Sequence, residues 1–149
     1  MEFGRALRIA TDISRATTIV SIYQASEQLY ELFDKVCVIY EGKMAYFGEA
    51  SKARQYFIDM GYEPANRQTT PDFLVAVTDP NARIPRAGAL NLPRTAEEFA
   101  QYFMESPMGT ANKEDIESYK DKNVGVPDKA RAYRRSALAE QSKTTRKSS

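Results

Sequence analysis

The 149-residue chain contains no histidine and no tryptophan, and its only cysteine is Cys37. Histidine is the side chain whose ordinary pKa lies nearest neutrality, so its absence excludes imidazole-based triads and histidine metal ligands. One cysteine cannot form an internal disulfide or a cysteine zinc site, and the apolar run around it predicts a buried thiol in a reducing compartment. The longest apolar runs, such as residues 36–40, fall far short of the roughly 20 residues that a membrane helix needs. No signal peptide opens the chain, so we expect it not to span a bilayer by itself.

Charge and composition divide the chain into regions. Residues 1–94 carry 11 basic and 11 acidic groups, residues 95–122 carry three against seven, and residues 127–149 carry seven against two. Residues 80–93 contain three prolines and one glycine but few large apolar side chains, which is typical of a connecting segment. We therefore predict a folded α/β region over 1–79, a linker over 80–94, an acidic helical connector over 95–122 and a basic, partly disordered tail over 123–149.

The first 34 residues predict a helix, a strand and a second helix. Apolar side chains at helical spacing in residues 2–13 predict an amphipathic helix whose buried face includes Phe3, Leu7, Ile9, Ala10 and Ile13. Residues 17–23 are rich in β-branched side chains and apolar on both faces, which favours a strand covered on both sides, as in a parallel sheet. Ser26 is placed to cap a helix over residues 26–34.

The elements that follow are predicted mainly from turn and capping signals. Residues 36–40 and 44–47 predict a hairpin around Gly42, ended by Gly48, with the charges of Glu41 and Lys43 in solvent. A helix over 51–60 is closed by Gly61, and Thr70 is expected to cap the next short helix. Further on, Thr95 and Glu98 predict a capping box, and residues 130–141 are rich enough in alanine and arginine to be helical.

So few strands leave the apolar faces of a sheet uncovered. The pattern predicts either a small α/β module that associates with a partner, or the last portion of a larger α/β domain. The aromatic side chains of Tyr46, Phe47, Tyr56 and Phe57 are predicted to form core rather than to stack on bases, because too few basic residues lie between them. No nucleic-acid partner is expected.

Several runs in this sequence resemble a known family. They are Thr18-Ile19-Val20-Ser21-Ile22-Tyr23-Gln24-Ala25-Ser26, Leu29-Tyr30-Glu31-Leu32-Phe33-Asp34-Lys35-Val36, Tyr40-Glu41-Gly42-Lys43-Met44-Ala45-Tyr46-Phe47-Gly48, Thr70-Pro71-Asp72-Phe73-Leu74 and Pro93-Arg94-Thr95-Ala96-Glu97-Glu98-Phe99. In this order they resemble the ATP-binding cassette transporters, most closely the fungal pleiotropic drug resistance subfamily. The resemblance covers the end of the first nucleotide-binding domain and the connector to the first transmembrane region. It implies an incomplete P-loop NTPase-type cassette, built from a strand–helix–strand unit, a β-hairpin and helices, followed by a helical or disordered extension.

The resemblance also implies which residues of this chain would lie near a bound nucleotide. Tyr23 stands where the family has a switch histidine that contacts the terminal phosphate, and Gln24 follows it. A phenol can donate one hydrogen bond but is a poor proton acceptor at neutral pH, so Tyr23 indicates a degenerate site. The alternative is that Tyr23 only caps the edge of the sheet, and Ser26 is explained by helix capping alone.

These observations are compatible with three functions. The sequence contains no G-x-x-x-x-G-K-[ST] loop, no acidic strand end to hold magnesium and no Ser-Gly-Gly signature, so we expect a catalytically inactive part of a drug-efflux transporter. ATP and magnesium would be cofactors of the full-length parent only. The partners of this chain would be the other parts of that transporter or a second nucleotide-binding domain.

The expected location differs between parent and chain. The parent would lie at the cytoplasmic face of a membrane, the plasma membrane being expected, whereas this chain alone would lie in the cytoplasm. The alternative is a stand-alone interaction module, and a small enzyme of another class has least support. The basic tail is expected to touch anionic lipid weakly or to be solvated.

Overall fold

A computed structural model describes residues 2–125, 127–132, 134–136 and 138, and it divides the chain into two compact units, Met1–Ser106 and Pro107–Ser149. The first unit holds nine of the elements, which are α1 (Glu2–Ser14), α2 (Glu27–Tyr30), β1 (Lys35–Tyr40), β2 (Lys43–Glu49), α3 (Ala50–Met60), β3 (Tyr62–Glu63), α4 (Thr70–Val77), β4 (Ile84–Pro85) and α5 (Ala96–Glu105). The second unit contains α6 (Pro107–Asn123). The fold is mixed α/β, as expected.

The predicted hairpin is confirmed. Strands β1 and β2 pair antiparallel and are joined by a two-residue turn, in which Glu41 and Gly42 have φ values of 45° and 77°. Two consecutive positive φ values belong to the turn type whose twist matches that of a hairpin. The strand β2 continues to Glu49, so Gly48 lies inside the strand, opposite Val36, and does not end it.

An aromatic core lies between the hairpin, α3 and α5. The side chains of Tyr46, Phe57 and Phe99 are fully buried, which confirms the core prediction for the first two. The ring of Phe99 lies 5.8 Å from that of Tyr62 in a stacked arrangement and 6.3 Å from that of Phe57. Helix α3 ends at Gly61, whose φ of 114° suits the left-handed C-terminal position.

Three helix caps were predicted, at Ser26, Thr70 and Thr95, and two of them are correct. The Thr95 hydroxyl accepts the Glu98 N–H at 3.2 Å, and the Glu98 carboxylate accepts the Thr95 N–H at 3.0 Å, so the capping box of α5 is confirmed. The cap of α4 is Thr69, not Thr70, because the Thr69 hydroxyl accepts the Asp72 N–H. Thr70 is already the first helical residue.

The segment predicted as a linker contacts the core at several points. Strand β4 pairs with β3, the Arg86 N–H donates to the Gly61 carbonyl at 2.8 Å, and the Arg83 guanidinium lies over the rings of Tyr40 and Phe99. The first compact unit therefore includes both this segment and α5. The division of the chain at residues 79, 94 and 122 stays a prediction.

The predicted strand over residues 17–23 was wrong. The structure places no strand there, and its two sheets are the antiparallel pairs β1–β2 and β3–β4. A parallel strand bonds to neighbouring strands through its backbone, and none of the described residues offers segment 17–23 such a neighbour. The following helix is also shorter than the predicted 26–34, because α2 ends at Tyr30.

Helix α1 forms as predicted, but none of its residues is buried. Gly4 lies so close to α2 that an added Cβ would stand 2.6 Å from the Leu29 Cδ1, whereas Phe3 is 79% exposed. Arg8 attaches the helix to the loop before β1 by donating to the Asp34 carboxylate at 2.7 Å. The prediction of a buried thiol was also wrong, since Cys37 is exposed on the outer face of β1.

The second unit is helical and charged. Helix α6 has no buried residue, and residues 127–132 and 134–136 are helical as well. The predicted helix over 130–141 is thus confirmed at residues 130–132, 134–136 and 138, while residues 133, 137 and 139–149 of the predicted partly disordered tail lie outside the described residues. Within the described part of the chain, no helix has both the length and the apolar character needed to cross a membrane.

Candidate functional site

The segment that joins α1 to α2 carries the residues singled out by the sequence. At its start the Ala16 N–H donates to the Thr11 carbonyl, and the hydroxyls of Thr11 and Thr18 lie 2.6 Å apart. At its end the Ser26 hydroxyl accepts the Leu29 N–H at 3.2 Å, which confirms Ser26 as the cap of α2. The segment is thus held at both ends, while its middle has no regular secondary structure and is open to solvent.

Tyr23 and Gln24 lie near the end of this segment. The Tyr23 side chain is 86% exposed, and Gln24 is exposed with a φ of 57°, in the left-handed region. Among the described residues, neither side chain forms a hydrogen bond or an ion pair. The structure therefore leaves both groups accessible to a ligand, and it does not place Tyr23 at the edge of a sheet.

A separate groove lies between α2, the loop before β1 and the start of α3. It encloses about 550 Å³ and is lined by four carboxylates, which belong to Glu27, Glu31, Asp34 and Glu49. The sequence alone did not predict this acidic groove. The available signal was helical spacing, because Glu31 and Asp34 follow Glu27 by four and seven residues. Glu49 belongs to another element and is brought beside them only by the tertiary fold.

The carboxylates of the groove serve the packing of the unit. The Glu27 carboxylate accepts the Thr70 N–H at the start of α4, which suits the positive end of a helix. Asp34 pairs with Arg8 at 2.7 Å, and Glu49 pairs with Lys52 at 2.8 Å. Over the described residues, no three His, Cys, Asp or Glu side chains are placed to hold one metal ion.

Two tyrosine hydroxyls beside the groove hold the start of α3. The Tyr30 hydroxyl donates to the Ala50 carbonyl at 2.7 Å, and the Tyr46 hydroxyl donates to the Glu49 carbonyl at 2.8 Å. Burial raises the pKa of Tyr30 above its usual range, and burial together with the nearby Glu49 charge raises the pKa of Tyr46 to about 12. Both phenols are therefore protonated at neutral pH, and neither is suited to act as a general base there.

Comparison with known proteins gives a consistent set of relatives. The chain is 46% identical over 151 residues to Protein SNQ2 of Saccharomyces cerevisiae, and this match covers 100% of the chain and 10% of the relative. It is 40% identical over 168 residues to the Brefeldin A resistance protein of Schizosaccharomyces pombe, covering 99% and 11%. It is 44% identical over 147 residues to ABC multidrug transporter A-2 of Aspergillus fumigatus, covering 98% and 10%. No family model matches the chain.

The coverage of these relatives is as informative as their identity. Almost all of the chain is matched in each of the three comparisons, so the similarity extends beyond the hairpin and core to the second unit. The chain spans about a tenth of the length of the curated relatives that it matches.

Proposed function

We propose that this chain forms part of a drug-efflux transporter of the fungal ATP-binding cassette family, in the pleiotropic drug resistance subfamily, because most or all of it is similar to such relatives. In this proposal residues 1–79 are the C-terminal portion of the first nucleotide-binding domain, a P-loop NTPase-type cassette, and residues 80–122 connect it onward. The parent couples ATP binding and hydrolysis to the export of hydrophobic compounds. It does so from the cytoplasmic face of the plasma membrane.

The observation that carries the proposal is similarity over the whole chain to relatives named as multidrug transporters or as a drug resistance protein. Identity of 40% or more across both compact units favours a shared role and not only a shared local fold. A shared fold alone would be weaker evidence for a shared function, because one fold serves many functions. Here the same segment recurs in relatives whose names state brefeldin A resistance or multidrug transport.

The exposed segment 17–23 supports a role within a larger domain. Ile19 is 91% exposed, and Val20 and Ile22 are also open to solvent, although β-branched apolar side chains favour a covered strand. In our proposal this segment becomes a strand when further strands of the same domain are present to accept its backbone hydrogen bonds. Tyr23 and Gln24 then lie at the end of that strand, facing the nucleotide.

The described residues by themselves do not fit Mg-nucleotide. Tyr23 can offer one phenolic hydrogen bond to a phosphate oxygen, but the acidic groove would repel phosphate and three of its four carboxylates are already hydrogen-bonded or paired. Phosphoryl transfer depends on held phosphates, magnesium and an oriented water, which the parent would have to supply from its other parts. We therefore propose that the isolated chain does not hydrolyse ATP.

Calorimetry and a turnover assay test this inactivity. The purified 149-residue chain should show no stoichiometric heat of binding with Mg-ATP and no phosphate release above the buffer rate. A turnover that is present in the chain and disappears in Tyr23→Phe would contradict the proposal, because it would assign catalysis to the phenol itself.

A segment exchange tests the proposed parent function. The matching segment of the Brefeldin A resistance protein is replaced by this chain, and growth of Schizosaccharomyces pombe on brefeldin A is measured. The exchange should retain resistance, and Tyr23→Ala within it should lower resistance and ATP turnover together. Tyr119→Ala is the matched control, since Tyr119 is also an exposed tyrosine, on α6. Equal effects of the two substitutions would show that Tyr23 is not part of the nucleotide site. Loss of resistance in an exchanged protein that is expressed at the normal level would count against the shared role.

One observation favours the second candidate, a stand-alone interaction module. Phe3, Ile9 and Ile13 leave an apolar face of α1 exposed, which a partner protein could cover. Size-exclusion chromatography and thermal unfolding separate the two. A compact monomer with a cooperative transition favours the module, whereas aggregation favours a part that needs the rest of its domain.

A further inference from the structure

The described residues that follow α6 carry a strong positive charge. Residues 127–138 hold four basic side chains against one acidic side chain, and all four basic side chains are exposed. The acidic one, Asp128, pairs with Arg131 at 2.7 Å, but both partners are open to solvent. Ion pairs of this kind are weak, so Arg131 remains available to another anion.

Three of the basic residues share one helix face. Arg134 and Arg135 follow Arg131 by three and four residues, which is the spacing of neighbours on one face of a helix, and each of the three lies in a described helical stretch, 127–132 or 134–136. Leu138 follows Arg131 by seven residues, on the same face, and is 65% exposed. Lys129 precedes Arg131 by two residues, so it lies on the opposite side. We call Arg131, Arg134, Arg135 and Leu138 the arginine face.

We propose that the arginine face binds the surface of a membrane that contains anionic phospholipid. Guanidinium groups pair with lipid phosphates, and an apolar side chain among them can enter the boundary between head groups and acyl chains. A nucleic-acid backbone would use the same charges but would leave Leu138 in water. This inference goes beyond the proposed transport function, because it uses residues outside the nucleotide-binding region and does not depend on ATP.

The size of the effect follows from the number of charges. One basic residue near an anionic leaflet changes the partition coefficient about fivefold, so the three arginines together contribute roughly a hundredfold. The attraction is screened by salt and falls within a Debye length of the surface. Binding should therefore be strong at low ionic strength and weak in concentrated salt, with a smaller contribution from Leu138 that salt does not remove.

Co-sedimentation of the full 149-residue chain with vesicles tests the proposal. The chain should bind vesicles of mixed phosphatidylserine and phosphatidylcholine and not vesicles of phosphatidylcholine alone. The triple variant Arg131→Gln, Arg134→Gln, Arg135→Gln should lose roughly a hundredfold in partition. Glutamine is a good helix former, so circular dichroism should show unchanged helix content.

A matched pair of single variants separates the arginine face from net charge. Arg134→Gln and Lys129→Gln remove the same charge from opposite sides of the helix. Arg134→Gln should lower partition about fivefold and Lys129→Gln less than twofold.

Three results would overturn the proposal. Equal losses from Arg134→Gln and Lys129→Gln would show that net charge and not a face is recognised. A second triple variant carries Lys143→Gln, Arg146→Gln and Lys147→Gln. If this variant loses binding while the Arg131, Arg134 and Arg135 variant keeps it, the membrane-binding residues are the later ones and not the arginine face. Preference for a short single-stranded RNA over phosphatidylserine vesicles would assign the face to nucleic acid. None of these outcomes bears on nucleotide binding, so failure here is distinct from failure of the proposed function.

Discussion

Replacing Phe99 by alanine should strongly destabilise the first unit, because α5 supplies a central side chain of its core. The Phe99 side chain is fully buried, and its ring contacts those of Tyr40 at 5.6 Å, Tyr62 at 5.8 Å and Phe57 at 6.3 Å. Truncation of a buried phenylalanine costs about 3 to 5 kcal/mol, and one edge, one stacked and one tilted ring contact place this site in the upper half of that range. That is a large part of the roughly 5 to 15 kcal/mol by which such a domain is stable.

The matched control is Phe3→Ala. Phe3 is 79% exposed on α1, so the same change of side chain should alter the free energy of unfolding by no more than about 0.5 kcal/mol. Because the chain has no tryptophan, urea unfolding is followed by far-ultraviolet circular dichroism and tyrosine fluorescence. The free energy should fall through a lower midpoint with an unchanged slope.

The result that would refute this reasoning is equality of the two variants. If Phe99→Ala unfolds at the same urea concentration as Phe3→Ala, the ring of Phe99 is not in the core. Helix α5 would then be a connector separate from the first unit, as the composition of residues 95–122 first suggested. Equal midpoints could not be attributed to the chemistry of the substitution, which is the same at both positions.

Three further predictions follow from individual contacts. Thr69→Ala should destabilise α4 by about 1 kcal/mol and Thr70→Ala by clearly less, measured by urea unfolding, because only the Thr69 hydroxyl caps the helix; equal losses would contradict this. Gly61→Ala should cost more than Gly88→Ala in the same assay, since both have positive φ but only at Gly61 would a Cβ stand 2.6 Å from the Leu92 side chain. Backbone hydrogen bonds from Arg94 and Thr95 lower the pKa of Glu98, so the stability that it adds is present above the ordinary glutamate pKa and lost as the pH falls through the lowered value. Glu98→Gln should therefore unfold with a weaker dependence on acid than the unchanged chain, and an identical pH profile of the melting temperature would refute the role.

Local signals in the sequence were sufficient for several elements. The hairpin turn at Glu41 and Gly42, the end of α3 at Gly61 and the capping box of Thr95 and Glu98 each depend on residues within a few positions of one another. The cap of α4 was displaced by one residue because Thr69 and Thr70 are adjacent and both are acceptable caps, and the choice depended on which hydroxyl met the Asp72 N–H.

The candidate site could be predicted only in part. Tyr23 and Gln24 were identified through resemblance to a family, and their contact with nucleotide stays a prediction. The acidic groove was not found, because Glu49 and the residues around α2 meet through the docking of α3. The arginine face could be found from spacing alone, but the exposure of Leu138 required the structure.

By itself the sequence indicated the family that the chain resembles, and it predicted most of the helices, the hairpin and two of the three caps, since these depend on neighbouring residues or on the order of motifs. Tertiary structure decided which surfaces are buried. It turned Gly4 and not Phe3 toward α2, placed Cys37 in solvent and brought α5 into the core. It also left residues 17–23 unpaired, because a strand exists only when other segments provide partners for its backbone hydrogen bonds, and no periodicity within seven residues can tell whether those partners are present.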